Sequence, residues 1–295
     1  MFRQILVPTT GDAFDAIVFE TARAAALDSP AHLHMLFTRP DPADAAIAMS
    51  GGGMDGGAGL AALIQAVAEE GQVAQAAARA AWAKFSAVVS LQTGQTPGLL
   101  GLSTTLEVAA GRESALLVQQ GRTSDLLVIG RPCGGQPADL DRLQAVLGGI
   151  GRPMLIAAPI CPASLIQNIV IAWKDTAEAA RAVSAAMPFI ERAERVVVMT
   201  AGEAAADGDP AHHHARASAE RLVATLQRHA PLVRTQHVSF GGGSPAQALL
   251  AAAAEAGASL LVMGGFGHGE LRERIFGGFT RTVLGGAEMP VLMMR

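Results

Sequence analysis

The chain contains no tyrosine, aromatic residues make up 4% of it, and only two cysteines occur in 295 residues. With so few rings, stacking platforms for single-stranded nucleic acid are nearly absent. Cys133 and Cys161 stand far apart without CxxC spacing. That pattern argues against a disulfide framework or a structural zinc site and fits a reducing cytoplasm. Positive charge is not in excess either. The formal net charge of −4 gives no electrostatic footprint for DNA, RNA or an anionic membrane. No uninterrupted apolar run reaches the roughly 18 residues of a membrane span. The opening MFRQILVPTTGDAFDA meets polar residues too early for a signal peptide. A soluble, cytoplasmic protein that binds neither nucleic acid nor membrane is expected.

What is abundant is small and apolar. Hydrophobic residues make up 50% of the chain and charged residues 16%, with 33 glycines. The length fits two domains, each able to bury its own core. Three segment types recur in the same order. FRQILVPTTGDAFDA (2–16) echoes IQNIVIAWKDTAEAA (166–180), SDLLVIGRP (124–132) echoes SLLVMGGFG (259–267), and GRPMLIAAP (151–159) echoes AEMPVLMMR (287–295). The turn-like APICPASLIQ between the copies divides the chain into domains at 1–160 and 166–295.

Within each half, short apolar runs alternate with Ala-rich helical stretches. Strands are expected at 4–8, 31–37, 103–108, 126–129 and 153–157, and again at 168–172, 195–200, 233–238, 259–263 and 291–294. The runs beginning at Ile5, Leu126, Ile169 and Leu260 are nearly continuous hydrophobics, the pattern of strands buried on both faces. Helices are expected at 13–26, 60–90, 177–193 and 245–256. Such alternation implies α/β architecture with two doubly wound parallel sheets and right-handed crossovers. The Gly-rich stretch 40–59 contains SGGGMD, which superficially resembles the SGGxDS loop of ATP pyrophosphatases. It follows the second strand rather than the first and carries an extra glycine, so it reads as a linker.

The segment MGGFGHGELRERIFGGFTRTVL (263–284) directly follows a buried strand. In a doubly wound sheet, the loop beyond a strand's carboxyl end borders the ligand crevice. Glycines there leave no Cβ between backbone amides and an anion. A helix beginning near Phe279 would aim unpaired N–H groups and its positive dipole end at the same place. Thr280 adds a hydroxyl. The pattern predicts a phosphate cradle.

This arrangement, G-x-x-G, nine residues, then G-[G/S/T]-x-[S/T], resembles the C-terminal signature of the universal stress protein family. The resemblance extends to the opening strand and turn, the repeated LLV strand and the closing strand of both halves. It implies a tandem pair of domains of the adenine-nucleotide α-hydrolase-like type, strand order 3-2-1-4-5. The pair would form an intrachain pseudo-dimer, with a homodimer of such chains left open. In ATP-binding members, the glycines and the following Ser/Thr hold phosphates, and an Asp ending the first strand holds the adenosine. By position, this implies Gly264, Gly267, Gly277, Gly278 and Thr280 for phosphate, with Met263, His268 and Phe279 alongside. Ala172, Trp173 and Lys174 would lie beside the base and ribose. ATP or a related adenine nucleotide, with magnesium, is the implied ligand.

Two departures matter. Gly278 stands where a hydroxyl residue is usual, and Lys174 replaces the Asp, with Asp175 next to it. A hydrogen bond to a charged group is worth about 1.5–3 kcal/mol, so each loss weakens binding without abolishing it. Lys174 cannot accept a hydrogen bond, but it can attract phosphate. In the first half, GRPCGGQPADLDRLQAVLGG (130–149) lacks the spaced glycines, and Asp139 and Asp141 would repel phosphate. Thr10 occupies the Asp position there. That half reads as architectural or regulatory.

His212, His213 and His214 are consecutive, so on a helix they cannot converge on one metal ion. A solvated helix start after Asp209-Pro210 is the expectation. His268, Arg272 and Arg274 could reach an anion or be plain surface residues; Cys133 has no supporting redox motif. No G-x-S-x-G elbow, HExxH or GxxxxGK[ST] occurs, so no catalytic residues are assigned. The leading expectation is a stress-response binding module whose nucleotide occupancy biases association with a protein partner. The alternatives are a slow nucleotide hydrolase and a nucleotide-free scaffold.

Overall fold

A computed structural model describes residues 1–39, 57–89, 92–93, 101–131, 137–202, 210–265 and 277–295. The chain forms two compact units, Phe2–Val128 and Ile129–Arg295, with Met1 grouped in the latter. No helix among the described residues is long and apolar enough to cross a membrane.

The first unit contains β1 (Gln4–Thr9), α1 (Asp15–Ala25), β2 (Ala31–Arg39), α2 (Gly57–Val88), β3 (Gln92–Thr93), β4 (Leu102–Ala110), α3 (Glu113–Gly121) and β5 (Leu126–Ile129), the last residue of which falls in the second unit. Its strands lie in the order β3-β4-β2-β1-β5 and pair in parallel. β1 sits between β2 and β5, and the continuous apolar runs of β1 and β5 are buried. β4 lies nearer the edge and is buried only in part.

The β1–α1 turn closes on itself. Asp15, 3% exposed, accepts hydrogen bonds from the Thr9 hydroxyl, the Thr10 amide at 3.0 Å and the Gly11 amide at 2.9 Å. Gly11 has φ +81°, and a Cβ there would collide with the backbone carbonyl of Ala74 on α2. Glycine is therefore required twice over, by conformation and by close approach.

On one face of β2, His32 is held between hydroxyls, Nδ1 2.9 Å from Ser103 Oγ and Nε2 3.0 Å from Thr105 Oγ1. His34 pairs with Glu107 at 2.9 Å. Burial, and secondarily the neighbouring His34, push the His32 pKa below its ordinary value.

The second unit continues with α4 (Pro137–Ile150), β6 (Met154–Ile156), β7 (Asn168–Ala172), α5 (Ala177–Ile190), β8 (Arg195–Gly202), α6 (Pro210–Leu226), β9 (Val233–Ser239), α7 (Pro245–Glu255), β10 (Leu260–Gly264), α8 (Gly278–Gly286) and β11 (Val291–Met294). The strand order is β6-β11-β10-β7-β8-β9. Five of these strands run parallel in the order 3-2-1-4-5 when counted from β7. β6 is the exception: it pairs antiparallel with β11, through Ile156·Val291, Leu155·Leu292 and Met154·Met293. The Ala157 amide just past β6 donates to the Ile129 carbonyl at 2.9 Å. With the two-residue β3 set aside, β4-β2-β1-β5 is the 3-2-1-4 part of the same order in the first half.

Every strand expected from the apolar runs is present, most within a residue or two of its expected ends. The two-residue β3 is an addition. So short a segment carries too little periodicity to be read from sequence. α5 tolerates Pro188 in its last turn.

Candidate functional site

In the second unit, consecutive connections leave β7 toward β8 on one side and reach β10 on the other. The strand order therefore reverses between β7 and β10. Carboxyl ends flanking such a point leave a crevice, because the chain departs in opposite directions. A cavity of about 690 Å³ opens there, within the range that encloses small-molecule ligands.

Nine of the eleven residues singled out in the sequence line this one cavity. Ala172, Trp173 and Lys174 come from the end of β7, and Met263 and Gly264 from the end of β10. Gly277, Gly278, Phe279 and Thr280 come from the start of α8. Gly267 and His268 lie outside the described residues, as do Cys133, Arg272, Arg274 and the SGGGMD stretch.

The three helix starts on this rim differ. Thr176 caps α5, its hydroxyl accepting from the Ala179 amide at 3.3 Å. Ser244 caps α7, accepting from the Gln247 amide at 3.4 Å, with Pro245 following. Both are the expected chemistry for helix starts. α8 has Gly277 at its cap position and no side-chain cap hydrogen bond. Its first residues, Gly277 to Thr280, line the cavity, and the cap residue supplies neither hydroxyl nor carboxylate to the amides that follow it.

The glycines are not equivalent. A Cβ on Gly264 would lie 2.7 Å from the Ala179 nitrogen and 2.9 Å from the Glu178 carbonyl carbon. That glycine lets β10 touch the start of α5, so packing alone demands it. At Gly277 and Gly278 a Cβ would meet nothing within 4 Å. Gly277 has φ −59° and ψ 160°, a conformation open to any residue. Among the described residues, neither backbone strain nor packing calls for glycine at these two positions. Thr280 is buried at 4% exposure.

Trp173 is half-buried, its Nε1 donating to Ser218 Oγ on α6 at 3.1 Å. Its backbone amide donates to the Met199 carbonyl at 2.8 Å. The indole is thus fixed with one edge on the cavity wall. Asp175, also on the rim, holds His214 at 3.2 Å and Arg221 at 3.5 Å. His213 and His214 are exposed near the start of α6, and His214 lines the cavity.

The remaining wall had no motif to announce it. Thr200, Ala201 and Gly202 end β8, and Phe240, Pro245 and Leu249 follow β9. Applying the carboxyl-end rule to every strand, rather than to β7 and β10 alone, would have found them. The wall is mainly apolar on this side and rich in backbone donors at α8. Such a site suits a ligand with a flat apolar part and an anionic part.

Two tandem halves of one doubly wound topology, the second with a crevice at its switch point, define a tandem doubly wound α/β protein. Comparison with known proteins narrows this. Residues 166–295 match the model of the Universal stress protein family, and they form a universal stress protein domain. No curated protein matches the chain. Among solved structures, a universal stress protein from Archaeoglobus fulgidus is similar at a TM-score of 0.61 and 19% identity, over 99% of this chain and 96% of that one. A functionally unknown protein from Pseudomonas aeruginosa is similar at a TM-score of 0.59 and 16% identity, over 99% and 92%. At these identities the likeness shows the fold, and it extends over both halves.

Proposed function

We propose that the second unit binds ATP or a related adenine nucleotide, with phosphates at the start of α8 and the base against the apolar wall beside Trp173. The observation that carries this reading is Gly277. Serine, threonine, aspartate and asparagine cap a helix with a side-chain acceptor, and here a glycine, which has none, stands at the α8 cap on the wall of a cavity of about 690 Å³. An external anion would supply the missing acceptor.

The residues present fit such a ligand. The volume suits a nucleotide, the amides and Thr280 suit phosphate, and the apolar wall suits a purine. The first unit supports a different role. Asp15 already accepts the amides of its β1–α1 turn, and α2 packs directly on Gly11. We infer one nucleotide per chain, a tandem protein whose first half is architectural, and a regulatory binding module that couples occupancy to a protein partner. Titration calorimetry with ATP, ADP and AMP, with and without magnesium, tests the reading. A stoichiometry of one supports it, and absence of heat at millimolar nucleotide refutes it. Magnesium-dependent phosphate release would instead establish a hydrolase.

A further inference from the structure

We propose that this cavity prefers nucleotides bearing a second phosphate on the ribose, and that Lys174 reads that phosphate. The inference rests on the nucleotide reading above and adds the ligand class. With the 5′-phosphate at α8 and the base beside Trp173, the ribose crosses the carboxyl end of β7, where Lys174 follows Trp173 on the cavity rim.

The charges around Lys174 decide what it can bind. Asp175 is held by His214 at 3.2 Å and Arg221 at 3.5 Å. Glu178 is held by Arg181 at 3.0 Å. Lys174 is exposed and has no ion-pair partner among the described residues. The rim acids are thus paired with Arg181 and Arg221, and among the described residues no acid compensates the Lys174 ammonium beside the proposed ribose. An acid there would accept from ribose hydroxyls. An ammonium offers three donors and no acceptor, so it gains most from an anion. The same exchange of charge separates dinucleotide sites that take a free ribose hydroxyl from those that take a 2′-phosphate.

The test is calorimetry on the full chain with AMP, ADP, adenosine 2′,5′-bisphosphate and adenosine 3′,5′-bisphosphate, for wild type, Lys174→Met and Lys174→Arg. In wild type, one bisphosphate should bind about tenfold or more tightly than AMP, and more tightly than ADP. Which bisphosphate does so identifies the 2′ or 3′ position. In Lys174→Met the ratio of bisphosphate to AMP affinity should fall toward one, and Lys174→Arg should keep most of it. Binding of AMP and ADP with no bisphosphate preference overturns this inference and leaves the nucleotide reading standing. A preference that survives Lys174→Met overturns the role of Lys174. If none of the four ligands binds, both readings fall.

Discussion

Replacing Gly277 with Asp should move stability and binding in opposite directions. The substituted carboxylate would stand at the cap position of α8, where the backbone conformation accepts any residue and a side chain meets nothing within 4 Å. It would offer the α8 amides an acceptor that Gly277 lacks and complement the helix dipole, which together stabilise by roughly 0.5–1 kcal/mol. For a unit of this size, that raises the melting temperature by about 1–4 °C. A nucleotide phosphate would meet the opposite effect. Two unit charges roughly 5 Å apart at an effective dielectric of about 20 repel by about 3 kcal/mol. Affinity should therefore fall at least about 100-fold. Thermal melting by circular dichroism and calorimetry with ATP on the same preparation read both quantities. A protein that melts higher and still binds ATP as wild type does would show that these amides do not hold phosphate.

Gly278→Ser places a hydroxyl in open space beside the same amides; it should raise ATP affinity about tenfold by calorimetry, with melting unchanged or slightly higher. Gly264→Ala pushes a methyl group into the backbone at the start of α5. It should cost about 1–3 kcal/mol, seen as a lowered denaturation midpoint, whether or not nucleotide is present. The depressed His32 pKa sets a pH dependence. The unfolded state takes up the proton first as pH falls below about 6.5, so stability is full above that value and declines toward the lower folded pKa. Melting curves at about pH 7.5 and 5.5 should show this loss, and His32→Gln should show less of it.

The architecture was legible because parallel strands buried on both faces must be almost wholly apolar. IVIA in β7 and LLVM in β10 could hardly serve elsewhere, and the recurrence of each segment type placed both halves. The cavity was legible only at its glycine-rich wall. Gly277 and Gly278 lie on one wall of the cavity that the end of β7 also lines. The sequence could not separate them from Gly264, whose reason is the backbone of α5. Glycine looks the same whether the missing Cβ makes way for an anion or for another helix. The opposite wall, at Thr200–Gly202 and Phe240, is built of ordinary residues placed only by the ends of β8 and β9. The Asp15 turn was also hidden, because an acid in the first turn of a helix has many uses.

The antiparallel seam of β6 on β11 bears on any attempt to isolate the second half. A chain begun at residue 166 would lack β6 and bare the donors and acceptors along the outer border of Val291–Met294, flanked by apolar side chains. Uncovered ladders of that kind recruit whatever extended segment is near, including another copy. The intact polypeptide covers that border with its own residues 154–156.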